Sequence, residues 1–459
     1  MRTSKKLQDM PIGKLIAVMS LPAIFSMLIQ SLYNIVDSIY VGKIGPSALN
    51  AVSLAYPMQI LILAFSLGIG VGTSSLIARK LGEQKHEEAN NVAKLGLIMA
   101  IIGSAIFFVL GLLISRPFLT LMTNDQEVIT MGTSYLTIIM SMSFFSFITI
   151  TLTRVLQGIG NMIVPMISQL LGAIINIILD PIFIFNLEMG VTGAAVATII
   201  GQAFSFVLVI SIFIFKKQDV SVNPIGFKYN REHLIGILNV GLPITIMNSV
   251  ASVTTSVLNS TLTNAYETEE LGKAAVNILG IYFKLQSFVF MPIFGINQGG
   301  MPILGYNYGA NLKKRFNQAL RIMLVTAIII MLFGFVIFQT IPETLLSFFS
   351  PNEDMITIGK RALPTISLSF IPAVFSIIFS MSFQAIGHGY KSLMMSLFRQ
   401  VIILIPAAII FSKINVNNIW YAYSIAEGLT ALIFVPIALF TVNKVFALKD
   451  LSEELIYNN

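Results

Sequence analysis

The chain has 459 residues, of which 56% are hydrophobic and only 11% charged, where a soluble globular chain carries roughly 25% charged residues. With a mean hydropathy of +0.85 and no cysteine, it reads as an all-α polytopic membrane protein without disulfides, thiolate metal sites or cysteine nucleophiles. The formal charge of +7 would suggest nucleic acid in a soluble domain, but here the distribution of Lys and Arg among the loops explains it better.

Hydropathy over windows of about 20 residues predicts twelve helices, at 15–40, 48–78, 93–114, 129–154, 163–185, 191–215, 236–262, 272–303, 318–339, 358–384, 391–411 and 418–441. The segment Met1 to Lys14 is basic and polar. The apolar run behind it is too long for a signal-peptide core and has no small-residue cleavage site, so it is expected to be kept as helix 1.

Helix 1 carries Asn34 and Asp37. Asp37 falls roughly 9 Å below the outer end of the helix at 1.5 Å per residue, with Asn34 one turn further in. Helix 2 holds Gly68, Gly70 and Gly72 inside an apolar span, with no Gly-Lys-Ser/Thr sequence after them. Close helix contact is the better reading than a phosphate loop. Helix 5 contains Asn176-Ile-Ile-Leu-Asp180-Pro181, which sets an amide and a carboxylate one helical turn apart on one face. An ionisable group at that depth costs about 2.5 kcal/mol or more and is by default functional, and Pro181 withholds a backbone donor from the carbonyl of Ile177. Asp180 lies roughly 8–9 Å below the outer end, Asn176 about 15 Å, and Thr198 of helix 6 about 12 Å. Four oxygen-bearing side chains from three helices are therefore expected in one layer. The plainer alternatives are an interfacial carboxylate at Asp37 and a satisfied helix break at Asp180-Pro181.

The second half has its own intramembrane charges: Lys284 on helix 8, expected near mid-membrane, Arg399 on helix 11 and Glu427 on helix 12. They suit either a buried ion pair that fixes helix packing or part of a substrate cavity. His86, His233 and His388 all fall in predicted loops without ligand spacing, so no metal site is expected. No nucleophile–base pair or intramembrane protease pattern appears, and the protein is not expected to be an enzyme.

Of the 28 Lys and Arg, 20 fall in the N-terminus, alternate loops and the C-terminus, Arg154 among them. The other loops hold Lys43, Arg116, Lys273, Lys360, Arg361 and Lys413. That bias places both termini in the cytoplasm and agrees with an even helix count. The halves also repeat. Phe118 to Glu127 aligns with Leu345 to Asp354 at an offset of 227, as do Gln157-Gly-Ile-Gly160 with Gln384-Ala-Ile-Gly387 and Gly68 with Gly295; Leu21-Pro22 meets Leu242-Pro243 at 221. Two parallel copies of a six-helix unit follow, 1–215 and 236–459, joined by a basic cytoplasmic loop at 216–235. Transporters use such parallel repeats for alternating access. The acidic layer does not recur: positions 37, 176, 180 and 198 map to Leu258, Ile403, Ala407 and Ile425. A purely structural layer would more naturally recur, so the asymmetry favours a site.

With Leu21-Pro22, Tyr33-Asn34-Ile-Val-Asp37, Arg79-Lys-Leu-Gly82, Gln157-Gly-Ile-Gly160 and Asn-Ile-Ile-Leu-Asp-Pro on helix 5, the chain resembles the multidrug and toxic compound extrusion (MATE) transporters over nearly its whole length, in the prokaryotic DinF-like and MepA-like branch. The resemblance implies a V-shaped pair of six-helix bundles in a bacterial plasma membrane, monomeric, with lipids and small cationic drugs as its partners, no nucleic acid and no cofactor. It implies export of cationic lipophilic drugs in exchange for inward H⁺ or Na⁺. It further implies that Asp37, Asp180, Asn176 and Thr198 form the cation site. Lys284 and Arg399 fit an acidic drug cavity less comfortably and keep alive a flippase of lipid-linked oligosaccharides from the same superfamily. A non-transporting membrane protein is the remaining alternative.

Overall fold

The computed structural model describes residues 4–349 and 351–457, without the side chains of Tyr33, Asn34, Ile35, Ser38 and 452–457. Among the described residues every regular element is helical. Among the described residues ten helices are long and apolar enough to cross a membrane, or twelve spans with each of two bent pairs taken as one. They are α1 (Ile12–Ile44), α2 (Pro46–Gly82), α3 (His86–Met122), α4 (Gln126–Ser141 with Ser143–Gly158), α5 (Ile163–Pro181, continued as a π-helix over Ile182–Asn186) and α6 (Gly190–Phe215) in the first bundle. The second holds α7 (Arg231–Ala265), α8 (Glu269–Gly309), α9 (Lys313–Thr340), α10 (Glu353–Ser367 with Phe370–Ala385), α11 (Gly389–Ile414, with a π-helical middle at Phe398–Leu404) and α12 (Tyr421–Tyr457). A short helix, Lys5–Asp9, precedes α1.

The internal repeat is written into local structure. Asp125 caps the start of α4, accepting from the amides of Glu127 at 3.0 Å and Val128 at 3.4 Å. Asn352, at the equivalent position, caps α10 by accepting from the Met355 amide at 2.9 Å. Each cap satisfies an amide that the first helical turn leaves without an intrahelical partner. The same two spans are the bent ones, by 43° and 48°, and the breaks at Met142 and at Leu368 and Ser369 again share the repeat register. Hydropathy saw a single apolar run in each case and could not see the bend.

The bundles meet along α1 with α8 and α2 with α7, and α2 also touches α8. Glycines make the approach possible. A Cβ on Gly68 would strike the backbone of Gly241, one on Gly72 the carbonyl of Ile237, and one on Gly299 the backbone of Met19 and Ser20. At the ends of the same helices Gly82 lies on the Tyr306 carbonyl and Gly309 on the Arg79 carbonyl. The glycine run of helix 2 is thus a packing surface, as its setting predicts. All of these approaches fall toward the face that carries the linker 216–230. The linker is itself tied to α3, with the Ser221 amide donating to Asn90 at 2.8 Å and Lys94 donating to the Ile225 carbonyl at 2.8 Å. Toward the opposite face the bundles part around a cavity, which gives the V shape.

The histidines do not all lie in loops. His86 opens α3, and His233 is buried in the first turn of α7 with Nε2 3.5 Å from Glu88 Oε2. No group of three or more His, Cys, Asp or Glu able to hold a metal ion occurs among the described residues.

Candidate functional site

Asn176 and Asp180 sit on the buried face of α5, at 2% and 0% exposure. The i, i+4 spacing has the expected result: Asn176 Nδ2 donates to Asp180 Oδ1 at 3.2 Å. The same amide group reaches Thr198 Oγ1 on α6 at 3.4 Å, and Thr198 donates to the Ala194 carbonyl at 2.9 Å. The α5–α6 contact is tight at this level because Gly172 and Gly201 bring the two backbones together. Directly after Pro181 the span changes from α to π register, as a residue without an amide hydrogen would provoke.

Asp37 reaches the same layer from α1, within electrostatic range of Asp180. Asn34 lies one turn along, with its side chain outside the described residues. Three oxygens are buried there with no hydrogen-bond donor among the described residues: Asp37 Oδ1, Asn176 Oδ1 and Asp180 Oδ2. Leaving buried acceptors unpaired is costly. A cluster of free oxygens, two of them from carboxylates, is chemically suited to a proton or a small hard cation.

The site borders two spaces. A cavity of about 1060 Å³ lies between the bundles, and Asn176 and Thr198 form part of its wall. Asp180 is directly behind Asn176 and does not reach the wall. Asp37 opens instead on a separate pocket of about 210 Å³ with Val41, Leu49, Val52, Ser53 and Tyr56. Asp37 therefore faces the smaller pocket, while Asp180 is enclosed behind Asn176 and faces neither space.

On the second-bundle side, Arg399 Nη1 lies 2.8 Å from Glu427 Oε1, and Ser376 donates to Glu427 Oε2 at 2.8 Å. Both charged residues line the cavity, so the ion pair and cavity-lining readings hold together. Lys284 joins neither. It is exposed, 5.7 Å from the ring of Phe349 in the connection after α9. The reach of the lysine stem brings its ammonium over that ring, off the cavity wall. Glu427→Gln should lower stability by about 1–3 kcal/mol by stranding Arg399, while the pair replacement Arg399→Met with Glu427→Leu should cost less; thermal unfolding in detergent measures both.

Several cavity residues were not singled out from sequence. Gln169 donates to Gln30 at 3.1 Å, joining α5 to α1, and Ser146 donates to Gln202 at 2.7 Å, joining α4 to α6. Paired glutamines inside apolar spans are the signal that could have found them. Arg154, counted among the loop cations, lies on α4 and lines the cavity.

The MatE family model matches residues 22–182 and 243–410, most of the chain. The Multidrug export protein MepA of Staphylococcus aureus (strain MSSA476) is 26% identical over 423 residues, 92% of each chain. The protein of the same name from Staphylococcus haemolyticus (strain JCSC1435) is 25% identical over 427 residues, 93% of each. Among solved structures, a MOP superfamily transporter from Pyrococcus furiosus, described as having a binding pocket of reverse polarity, superposes with a TM-score of 0.90 at 27% identity, covering 96% of this chain and 98% of that one. A multidrug resistance MATE family transporter in its outward-facing conformation gives a TM-score of 0.91 at the same identity and coverage. With the fold, the repeat and the family model in agreement, the chain belongs to the MATE family of multidrug efflux transporters.

Proposed function

We propose that the protein is a secondary antiporter that exports cationic, lipophilic compounds in exchange for inward H⁺ or Na⁺. The carrying observation is the cluster of orphaned oxygens on Asp37, Asn176 and Asp180, set in one bundle beside a cavity large enough for a drug-sized molecule. Two carboxylates at that depth do not both ionise easily, so the layer loads a cation, with Thr198 completing it. Loading removes the repulsion between α1 and α5 and favours the state with low drug affinity. Linkage then requires that drug binding favour cation release. Moving one positive charge outward against about 100 mV costs about 2.3 kcal/mol, and entry of one cation offsets that cost. The 1–215 and 236–459 units would rock about the glycine-lined contact, as a monomer, in a bacterial plasma membrane with both termini cytoplasmic as the Lys and Arg distribution implies.

A flippase of lipid-linked oligosaccharides is the second reading, favoured by the presence of Arg154 and Arg399 on the cavity wall. Ethidium efflux from proteoliposomes decides between them. Efflux driven by an imposed pH gradient or by an imposed Na⁺ gradient is the expected result and names the ion. No efflux under either gradient would move the assignment to the flippase.

A further inference from the structure

The charge inventory of the cavity does not match a bare cation. Its wall carries Arg154, Arg399 and Glu427. Glu427 is occupied by Arg399 and Ser376, while Asp37 and Asp180 do not reach the wall. That leaves Arg154 uncompensated. It stands near the linker-face end of α4, its stem against Gly70. Its side chain donates from Nη1 to Gln157 Oε1 at 3.0 Å, and no carboxylate forms an ion pair with it among the described residues. A half-buried guanidinium on the cavity wall without an anion keeps donors available toward the cavity, and its planar fork fits a carboxylate in two parallel bonds.

We propose that Arg154 receives a carboxylate on the transported compound, so that the favoured substrate is a zwitterionic amphiphile. This rests on the antiport reading and narrows its substrate class. The cationic end of such a molecule meets the rings of Tyr282, Phe290, Phe294 and Tyr423, which share the cavity wall and attract cations through their faces.

The test uses the full-length protein in nonionic detergent and two dyes that differ in one group: rhodamine B, a cation with a free carboxylate, and its ethyl ester, the same cation without it. Fluorescence polarisation, referenced to empty micelles, should show the acid binding about tenfold tighter than the ester, as expected for one charge-assisted fork. Arg154→Gln should erase the preference by weakening the acid alone, and Arg154→Lys, which keeps the charge, should retain part of it. Equal binding of the two dyes to the wild type, or equal weakening of both by Arg154→Gln, overturns the inference. Loss of the preference on adding phosphatidylglycerol would assign Arg154 to lipid headgroups and also overturn it. Ion-driven export of the ester without preference for the acid would overturn the inference and leave antiport standing. Absence of binding and of efflux for both dyes would overturn both.

Discussion

Asp180→Asn is expected to leave the protein folded and able to bind drug, and to reduce gradient-driven efflux about a hundredfold, the upper range of coupling between linked sites. The replacement keeps the shape of the side chain and an oxygen able to accept from Asn176, which now donates to Asp180 Oδ1 at 3.2 Å. It removes the charge that makes the layer bind a cation. Because the residue lies behind Asn176, off the cavity wall, drug affinity in the cation-free state should change little. Asp37→Asn should act in the same direction, and the double variant should be no worse than either single change, since the two carboxylates work as a unit. Asn176→Ala keeps both charges and should weaken cation binding about tenfold, through loss of one charge-assisted bond. Efflux assays alongside drug-binding titrations separate these outcomes. A variant that loses drug binding in parallel with efflux would point to a structural role.

The second large effect concerns the contact between the bundles. Gly309→Val should destabilise the state closed on the linker face by about 1–3 kcal/mol, the cost of forcing bulk into a packed contact. The group met by the new side chain is the carbonyl of Arg79, a backbone atom that cannot rotate aside, so α2 and α8 must separate. Gly82→Val should act alike from the other side, against Tyr306 and Ala310. Gly280→Ala is the control, since nothing lies within 4 Å of its added carbon. With no native cysteine, spin labels introduced at exposed Lys85 and Lys313 report the separation of the bundles cleanly. The distance distribution should lengthen in the two glycine variants and stay unchanged in the control. An unchanged distribution in Gly309→Val would mean that this contact does not hold the linker face shut.

Much of this architecture was legible in the sequence because the membrane imposes it. Each span needs a long apolar run, and the offset of 227 between halves reappears as matching caps at Asp125 and Asn352 and matching bends in α4 and α10. The junction of Asn176, Asp180 and Thr198 was legible because helical rise and spacing fix both depth and face. What stayed hidden depends on helix ends and rotation. Lys284 lies beside Phe349 and off the cavity wall because the rotation of α8 decides which way its stem runs. Arg154 was taken for a loop cation because α4 extends to Gly158. The Arg399–Glu427 contact needed the relative rotation of α11 and α12, which hydropathy does not carry.

The most direct test of the coupling site is the release of an ion when drug binds. Ethidium added to the purified wild-type protein in weakly buffered solution should release close to one H⁺, or displace bound Na⁺, for each drug bound, with Asp180→Asn releasing neither. Drug binding without ion release in the wild type, or undiminished release from Asp180→Asn, would contradict the assignment of the coupling site to this layer.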